Sequence, residues 1–153
     1  MKKSKKIQSF VGIDVSKLTI DACVVFSDGI PTYERFENSA RGFIQFRNWL
    51  RSKDFFTEKK SLFCMEHTGL YTRQLVAFLL QWGCSIWMES ALHLKRSMGM
   101  TRGKSDKVDS FRIARYAMTK ADRAVLVSMT SSSLQQLKDL MSSRSRILKA
   151  LQA

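Results

Sequence analysis

The chain has 153 residues, 44% of them hydrophobic, and carries 26 lysine and arginine side chains against 13 aspartate and glutamate side chains. This length and hydrophobic content support one folded domain with a sizeable core and exclude a disordered tail. The formal net charge of +13 favours a polyanionic partner, above all nucleic acid, because cations that neutralise phosphates release bound counterions. Charge alone leaves one alternative open, a basic protein that is merely soluble.

The cysteines and the absence of long apolar runs indicate a cytoplasmic protein. Cys23, Cys64 and Cys84 are widely spaced and lack the paired spacing of metal ligands, so we expect buried, reduced thiols. The basic start of the chain is followed by a stretch that polar residues and Asp14 interrupt, which excludes a good signal peptide. No run approaches the ~20 apolar residues of a membrane span.

Three short strands are predicted in the first part of the chain. Residues 9–15 alternate and then run apolar, residues 19–26 are rich in Ile and Val, and residues 15–18 form the turn between them. A third strand is predicted at 32–37, entered through residues 28–31, whose Asp, Gly and Pro favour a turn. Adjacent short strands with short turns indicate an antiparallel meander.

The hydrophobic pattern then alternates between helix and strand. Behind a potential N-cap, Ser39, an apolar stripe recurs at helical spacing and consists of Phe43, Phe46, Trp49 and Leu50. A short apolar strand at 62–65 precedes a helix from about 68 to 82, which ends at the C-cap Gly83, and another strand follows at 85–88. A crossover helix between two such strands makes them parallel neighbours.

These elements predict an α/β fold with a mixed five-stranded sheet, in which a three-strand antiparallel meander is joined by two parallel strands and flanked by helices. The first strand is expected at the centre of the sheet, with the fourth strand beside it. A helix from about 106 to 118 is expected to pack across one face. Its predicted inner surface consists of Val108, Phe111, Ile113, Ala114 and Ala117.

The segment from residue 92 to residue 107 is basic and contains two glycines. We predict that it is a mobile loop that a partner orders, and that its cations contact nucleic acid. These candidate contacts are Lys95, Arg96, Arg102, Lys104 and Lys107.

The final segment is predicted to be a long helix. Ser133-Leu-Gln-Gln136 matches a capping box, which indicates the start of the helix. A seam with alternating spacings of three and four, which Arg144 interrupts, consists of Leu134, Leu137, Met141, Arg144, Leu148 and Leu151. The seam predicts either a coiled coil, able to form a homodimer, or a terminal helix that packs on its own domain. No cap precedes Ala153, so we expect the chain to be part of a longer protein.

Four carboxylates stand out against the basic background. Asp14 lies in an apolar strand, Glu66 follows another strand, and Asp106 and Asp109 share one face of the predicted helix. A charge in an apolar strand is costly unless it is paired or bound to metal. In the predicted fold the four can converge, and they would repel one another unless a cation held them ionised. Mg²⁺ or Mn²⁺ suits such oxygen ligands and can serve phosphodiester chemistry.

Each of these carboxylates also has a structural interpretation when taken singly. Asp14 can hydrogen-bond or form a salt bridge with a neighbouring strand or loop, and Glu66 can be an exposed residue at a strand end. Asp106 can be the N-cap of its helix. The metal-site hypothesis therefore depends on the combination of the four.

Three motifs in order resemble the N-terminal domain of the DEDD insertion-sequence transposases, which are described as bridge-RNA-guided recombinases. They are Val11-Gly-Ile-Asp-Val-Ser-Lys17, Met65-Glu-His-Thr-Gly69 and Lys104-Ser-Asp-Lys-Val-Asp-Ser110. The resemblance covers nearly the whole chain. It implies a ribonuclease-H-like fold related to Holliday-junction resolvases, with a metal-binding and catalytic tetrad that consists of Asp14, Glu66, Asp106 and Asp109.

The resemblance also implies partners and a domain organisation. The partners are DNA and a guide RNA, and the cofactor is Mg²⁺ or Mn²⁺. Residues 1–8 would be a basic arm, residues 9–127 the catalytic domain, and residues 128–153 the start of a helical linker to a second domain that bears a serine nucleophile. Without that domain we expect the chain to be unable to complete a strand exchange.

Two other function classes stay open at this stage. The run at 12–17 also resembles the first phosphate loop of actin-like sugar kinases and ATPases, although no second phosphate loop or Gly-rich adenosine motif is visible. The other alternative is a module that binds nucleic acid but cleaves nothing, its carboxylates being structural. ATP affinity tests the former and metal binding tests the latter.

Overall fold

The structure, a computed structural model, describes residues 6–27, 29–67, 69–98, 106–128 and 131–152, without the side chains of residues 98, 106 and 131–135. The elements in these ranges are β1 (Ser9–Val15), β2 (Thr19–Phe26), β3 (Thr32–Glu37), α1 (Ala40–Arg51), β4 (Ser61–Glu66), α2 (Arg73–Trp82), β5 (Ser85–Glu89), α3 (Ala91–Met98), α4 (Asp106–Lys120) and α5 (Ser131–Gln152). Short 3₁₀ turns precede β4 and α2 and follow α4. Among the described residues, no helix combines the length and apolar character needed to cross a lipid bilayer.

The five strands form one mixed sheet in the order β3-β2-β1-β4-β5. β1 pairs antiparallel with β2, and β2 pairs antiparallel with β3, which confirms the predicted meander. β4 pairs parallel with both β1 and β5, so β1 is central and β4 lies beside it, as predicted. After α4 the chain returns to the β5 edge, where the backbone N–H of Val127 donates to the carbonyl of Ile86 at 2.8 Å.

One face of the sheet packs against α1 and α2. Val11, Ile13 and Val15 alternate along β1 and lie in this core with the apolar stripe of α1. The hydroxyl of Ser39 accepts a hydrogen bond from the backbone N–H of Gly42 at 3.1 Å, which confirms the predicted N-cap of α1.

The helix between the two parallel strands is shorter than predicted. α2 begins at Arg73, and residues 69–72 form a 3₁₀ turn, while residue 68, the predicted start, lies outside the described residues. The hydroxyl of Thr72 donates to the carbonyl of Gly69 at 3.0 Å, which closes this turn ahead of the helix. α2 ends as predicted, because Gly83 has a φ of +93° and provides the left-handed C-cap.

The other face of the sheet is covered by α4, which lies almost directly on β1. A Cβ atom added at Gly12 would lie 2.2 Å from the carbonyl oxygen of Ser110, so only glycine allows this approach. On α4, Ile113 and Ala114 are among the buried residues of the predicted inner surface, but Val108 is 37% exposed. The prediction for Val108 is wrong because it lies on the outward face of the first turn.

The prediction of a continuous loop from residue 92 to residue 107 is also wrong in its first half. Residues 91–98 form α3, and residues 99–105 lie outside the described part of the chain. The hydroxyl of Ser90 accepts from the backbone N–H of His93 at 3.2 Å, and the side chain of Leu94 is buried against α4. A cap and the buried side chain of Leu94 therefore stabilise a short helix in which half of the residues are polar or basic.

The last helix, α5, begins at Ser131, two residues before the predicted capping box. Its first half contacts α2, and Leu137 is buried there. Exposed apolar side chains continue along the helix at Leu140, Ile147, Leu148 and Leu151. The helix therefore packs on its own domain at one end and presents apolar side chains to solvent toward the other.

Candidate metal and nucleic-acid site

Four carboxylates lie in a row on four neighbouring strands. In the strand register Asp21 of β2 is opposite Asp14 of β1, and Glu66 of β4 is opposite Glu89 of β5. Ile13 pairs with Met65, so Asp14 and Glu66, the next residues, also lie side by side. Neighbouring strands are about 4.8 Å apart, and all four residues alternate onto the face that α4 covers.

Asp21, at one end of the row, is neutralised by groups from β3. Its side chain is 2% exposed, and the Nε–H of Arg35 donates to its Oδ1 at 2.8 Å. The hydroxyl of Tyr33 donates to the same oxygen. Burial and this hydrogen bond raise the pKa of Tyr33 to about 12, so the phenol remains a donor at neutral pH.

Glu89, at the other end, is held by three donors. The hydroxyl of Tyr116 in α4 lies 2.8 Å from Oε2, and the backbone N–H of Ser90 and the Nδ1 atom of His93 lie 2.8 Å and 3.0 Å from Oε1. Burial alone would raise the pKa of Glu89, but these hydrogen bonds outweigh it and lower the pKa below its usual value. The carboxylate therefore links β5, α3 and α4 in its ionised form.

The two inner carboxylates, Asp14 and Glu66, meet the start of α4. Both are partly exposed, at the carboxyl ends of adjacent parallel strands. Asp109 lies in the first turn of α4, and its Oδ1 is 3.8 Å from a guanidinium nitrogen of Arg112. Asp106 is the first residue of the helix, but its side chain is outside the described part of the structure. The predicted tetrad thus comes from β1, β4 and α4.

The donor types in this region fit Mg²⁺ or Mn²⁺, which prefer carboxylate oxygens. Among the described side chains, however, no three His, Cys, Asp or Glu groups are gathered closely enough to hold a metal ion. A metal centre here therefore requires the fourth carboxylate, Asp106, or a closing movement of the side chains.

Three of the predicted nucleic-acid contacts lie on the helices that border this region. Lys95 and Arg96 are exposed on α3. Lys107 is exposed at the start of α4, with its Nζ 5.6 Å from the centre of the Tyr33 ring. The other two, Arg102 and Lys104, lie outside the described residues.

Sequence reasoning missed Asp21 and Glu89 as members of the row. Asp21 lies inside an apolar strand and Glu89 ends another, which are the features that singled out Asp14 and Glu66. The same criterion applied to every strand would have found them. Their partners, Tyr33 and Tyr116, carry no such pattern in the sequence because they meet the carboxylates only in the folded chain.

Comparison with known proteins identifies the family. The sequence model of one protein family, the DEDD transposases of the IS110 type, matches residues 11–153. The description of this family is "Transposase". The chain belongs to this family. The motifs that surround Asp14, Glu66 and Asp109 had indicated this family, and family membership favours a transposase domain over the actin-like alternative.

Two relatives with similar sequences and one solved structure with a similar fold are consistent with membership of this family. Two pilin gene-inverting proteins, from Moraxella lacunata and Moraxella bovis, are 29% and 28% identical to the transposase domain over 114 residues. That alignment covers 71% of this chain and 34% of each relative, so the chain spans about a third of their length. The Thermus thermophilus RuvC structure matches 78% of this chain and 99% of its own, with a TM-score of 0.52 and 12% identity. This likeness confirms the ribonuclease-H-like fold.

Proposed function

We propose that this transposase domain binds Mg²⁺ or Mn²⁺ through Asp14, Glu66, Asp106 and Asp109 and acts there on DNA phosphodiester bonds. The observation that carries the proposal is the pairing of β1 with β4, which sets Asp14 beside Glu66 on the face covered by α4. Asp109 is in the first turn of that helix, which contacts β1 at Gly12. Membership of the transposase family and the ribonuclease-H-like fold support the same chemistry.

The chemistry at this site depends on divalent cations. A bound divalent ion would stabilise the leaving oxygen of the phosphodiester and lower the pKa of the attacking group. The four carboxylates hold this ion, and the cations of α3 and α4 orient the phosphate backbone. Asp21 and Glu89 hold the flanking strands through their hydrogen bonds to Tyr33 and Tyr116.

The proposed partners follow from the family and from the charge. DNA is the substrate and a guide RNA is a second nucleic-acid partner, contacted by Lys95, Arg96, Arg102, Lys104 and Lys107. The name of the Moraxella relatives, pilin gene-inverting proteins, supports a rearrangement of DNA segments. We further propose that the protein is cytoplasmic, that the apolar side chains of α5 serve a homodimer, and that strand exchange needs a second domain with a serine nucleophile.

The experiment that tests the metal site compares Asp14→Asn with the parent chain. We expect Mn²⁺ affinity, measured by titration with electron paramagnetic resonance, to fall by at least about tenfold, because a charged ligand is lost. DNA affinity should stay equal or rise, since one repulsive charge near the phosphate is removed. Circular dichroism should report an intact fold.

The matched control is Asp54→Asn, which removes an exposed carboxylate from the loop between α1 and β4. It should leave Mn²⁺ affinity unchanged. If Asp14→Asn leaves Mn²⁺ affinity unaltered, the metal-binding role of Asp14 is wrong. Unaltered metal affinity in Glu66→Gln and Asp109→Asn as well would instead favour a nucleic-acid-binding module without catalysis.

A further inference from the structure

A second polar site lies on the outer side of α3 and α4. It is a cavity of about 260 Å³ lined by Ser97, Arg112, Arg115, Tyr116, Thr119 and Lys120. Three of these six side chains are cations, three carry hydroxyl groups, and none is acidic. The hydroxyl groups of Tyr116 and Thr119 already donate to Glu89 and to backbone carbonyls of α4. The three cations remain, and they favour an anion such as a phosphate.

The guanidinium groups in this cavity are positioned by neighbouring side chains. The guanidinium carbon of Arg115 lies 5.8 Å from the centre of the Phe111 ring, a contact that supports its planar group from one side. Arg112 is 3.8 Å from Asp109 and has a side chain that is only 21% exposed. Both arginines are therefore oriented in the free protein, which lowers the entropy cost of binding an anion.

The cavity connects the acidic site to the rest of the basic surface. Arg112 contacts Asp109 at one end, and Lys120 lies eight residues further along α4, a rise of about 12 Å. Lys95 and Arg96 are exposed on α3, which contacts α4 beside the cavity. A length of about 12 Å is longer than the 3.4 Å axial rise between successive phosphates of one DNA strand, so the basic groups can reach more than one phosphate.

We propose that this cavity, the α4 phosphate pocket, binds the backbone of a DNA strand on its way to the acidic site. Arg112, Arg115 and Lys120 neutralise successive phosphates. The basic side chains on α3 and α4 extend over a longer distance than a single phosphate ion occupies. The ligand is therefore a phosphodiester chain. The choice of DNA rests on the proposed function, in which the neighbouring carboxylates act on DNA.

The test measures binding of a fluorescently labelled DNA duplex in EDTA, so that it does not depend on the metal site. Arg115→Gln and Lys120→Gln should each weaken DNA binding by roughly tenfold, the effect of losing a charge-assisted hydrogen bond. Each should also reduce the slope of log affinity against log salt by about one. Arg112→Lys, which keeps the charge, should lose less affinity than Arg112→Gln.

The matched controls are Arg41→Gln and Lys59→Gln, which remove exposed cations near α1 and before β4, away from the pocket. If the pocket variants bind DNA no more weakly than these controls, the proposal is wrong. It is also wrong if the pocket variants lose affinity for an RNA duplex but not for the DNA duplex.

Discussion

Asp14 and Asp21 face each other directly across β1 and β2, and like charges in that position are destabilising unless other groups offset them. Arg35 and Tyr33 stabilise the charge of Asp21, which is almost fully buried. At the other end of the row, Glu89 keeps its charge through Tyr116 and its other donors. Other residues of the protein therefore stabilise the negative charges of Asp21 and Glu89 at the two ends of the row. Asp14 and Glu66, at its centre, face the start of α4.

Gly12 sets the distance between this row and α4, and its replacement tests the contact. A Cβ atom at this position would lie 2.2 Å from the carbonyl oxygen of Ser110 and 2.3 Å from the backbone nitrogen of Ala114. Because neither backbone atom can rotate away, we expect Gly12→Ala to lower the free energy of unfolding by about 3 kcal/mol, at the upper end of overpacking effects. Urea unfolding followed by circular dichroism measures this change.

Gly29→Ala serves as the control, since its nearest contact, the Cβ of Phe26, is 3.3 Å away and belongs to a side chain. We expect this variant to change stability by less than about 1 kcal/mol. Equal stabilities of the two variants would show that α4 does not lie on β1 as closely as described.

At the scale of elements, local sequence patterns predict this fold well where one face of each element is apolar. The three-strand meander, the helix capped by Ser39 and the parallel pair β4 and β5 all follow from periodicity and capping residues. α3 was missed because its stability depends on burial of Leu94 against α4, a contact between distant segments. Within the candidate site, the sequence indicates Asp14 and Glu66. It does not indicate Tyr33 and Tyr116, which position the neighbouring carboxylates.

The two ends of α5 should respond differently to truncation of its leucines. Leu137 is buried beside α2, whereas Leu151, near the other end of the helix, is 77% exposed. We expect Leu137→Ala to lower the free energy of unfolding by about 2 kcal/mol and Leu151→Ala by no more than about 0.5 kcal/mol. Chemical denaturation at low protein concentration measures both without contributions from self-association.

This comparison separates the two interpretations of the apolar seam. A large effect at Leu137 supports a helix that packs on its own domain at that point. If both leucines are neutral at low concentration and Leu151→Ala reduces self-association at high concentration, α5 serves mainly as a coiled coil and the contact with α2 is unimportant.

On the scale of the whole molecule, the three cysteines are distributed over the cores on both faces of the sheet. Cys23 and Cys64 face α4, and Cys84 lies in the core formed with α1 and α2. Burial is the main cause that raises the pKa of Cys23 to about 11 and those of Cys64 and Cys84 to about 12. The reactive thiolate is therefore scarce in the folded protein at neutral pH.

We expect iodoacetamide to label none of the three thiols at an appreciable rate at pH 8, and to label all three together as urea unfolds the chain. Mass spectrometry after digestion measures the rate at each site. Earlier labelling of Cys84 than of the other two would show that the layers unfold separately. Stability should also fall as the pH rises above about 9, because the unfolded chain loses its thiol protons before the folded chain does.

The absence of a side chain at Gly12 has a consequence for protein engineering. The carboxylates of the sheet and those of α4 belong to separate elements, and the gap between these elements is set where the backbone of the helix rests on the backbone of the strand. Substituting one proposed ligand changes a single carboxylate, but changing the residue at position 12 or its contact at Ala114 would shift the two acidic residues of α4, Asp106 and Asp109, together. A variant library at these two positions would therefore change the width of the acidic site without altering the four carboxylates proposed as ligands. If the proposed metal site is correct, the preference between ions of different radius would change with it.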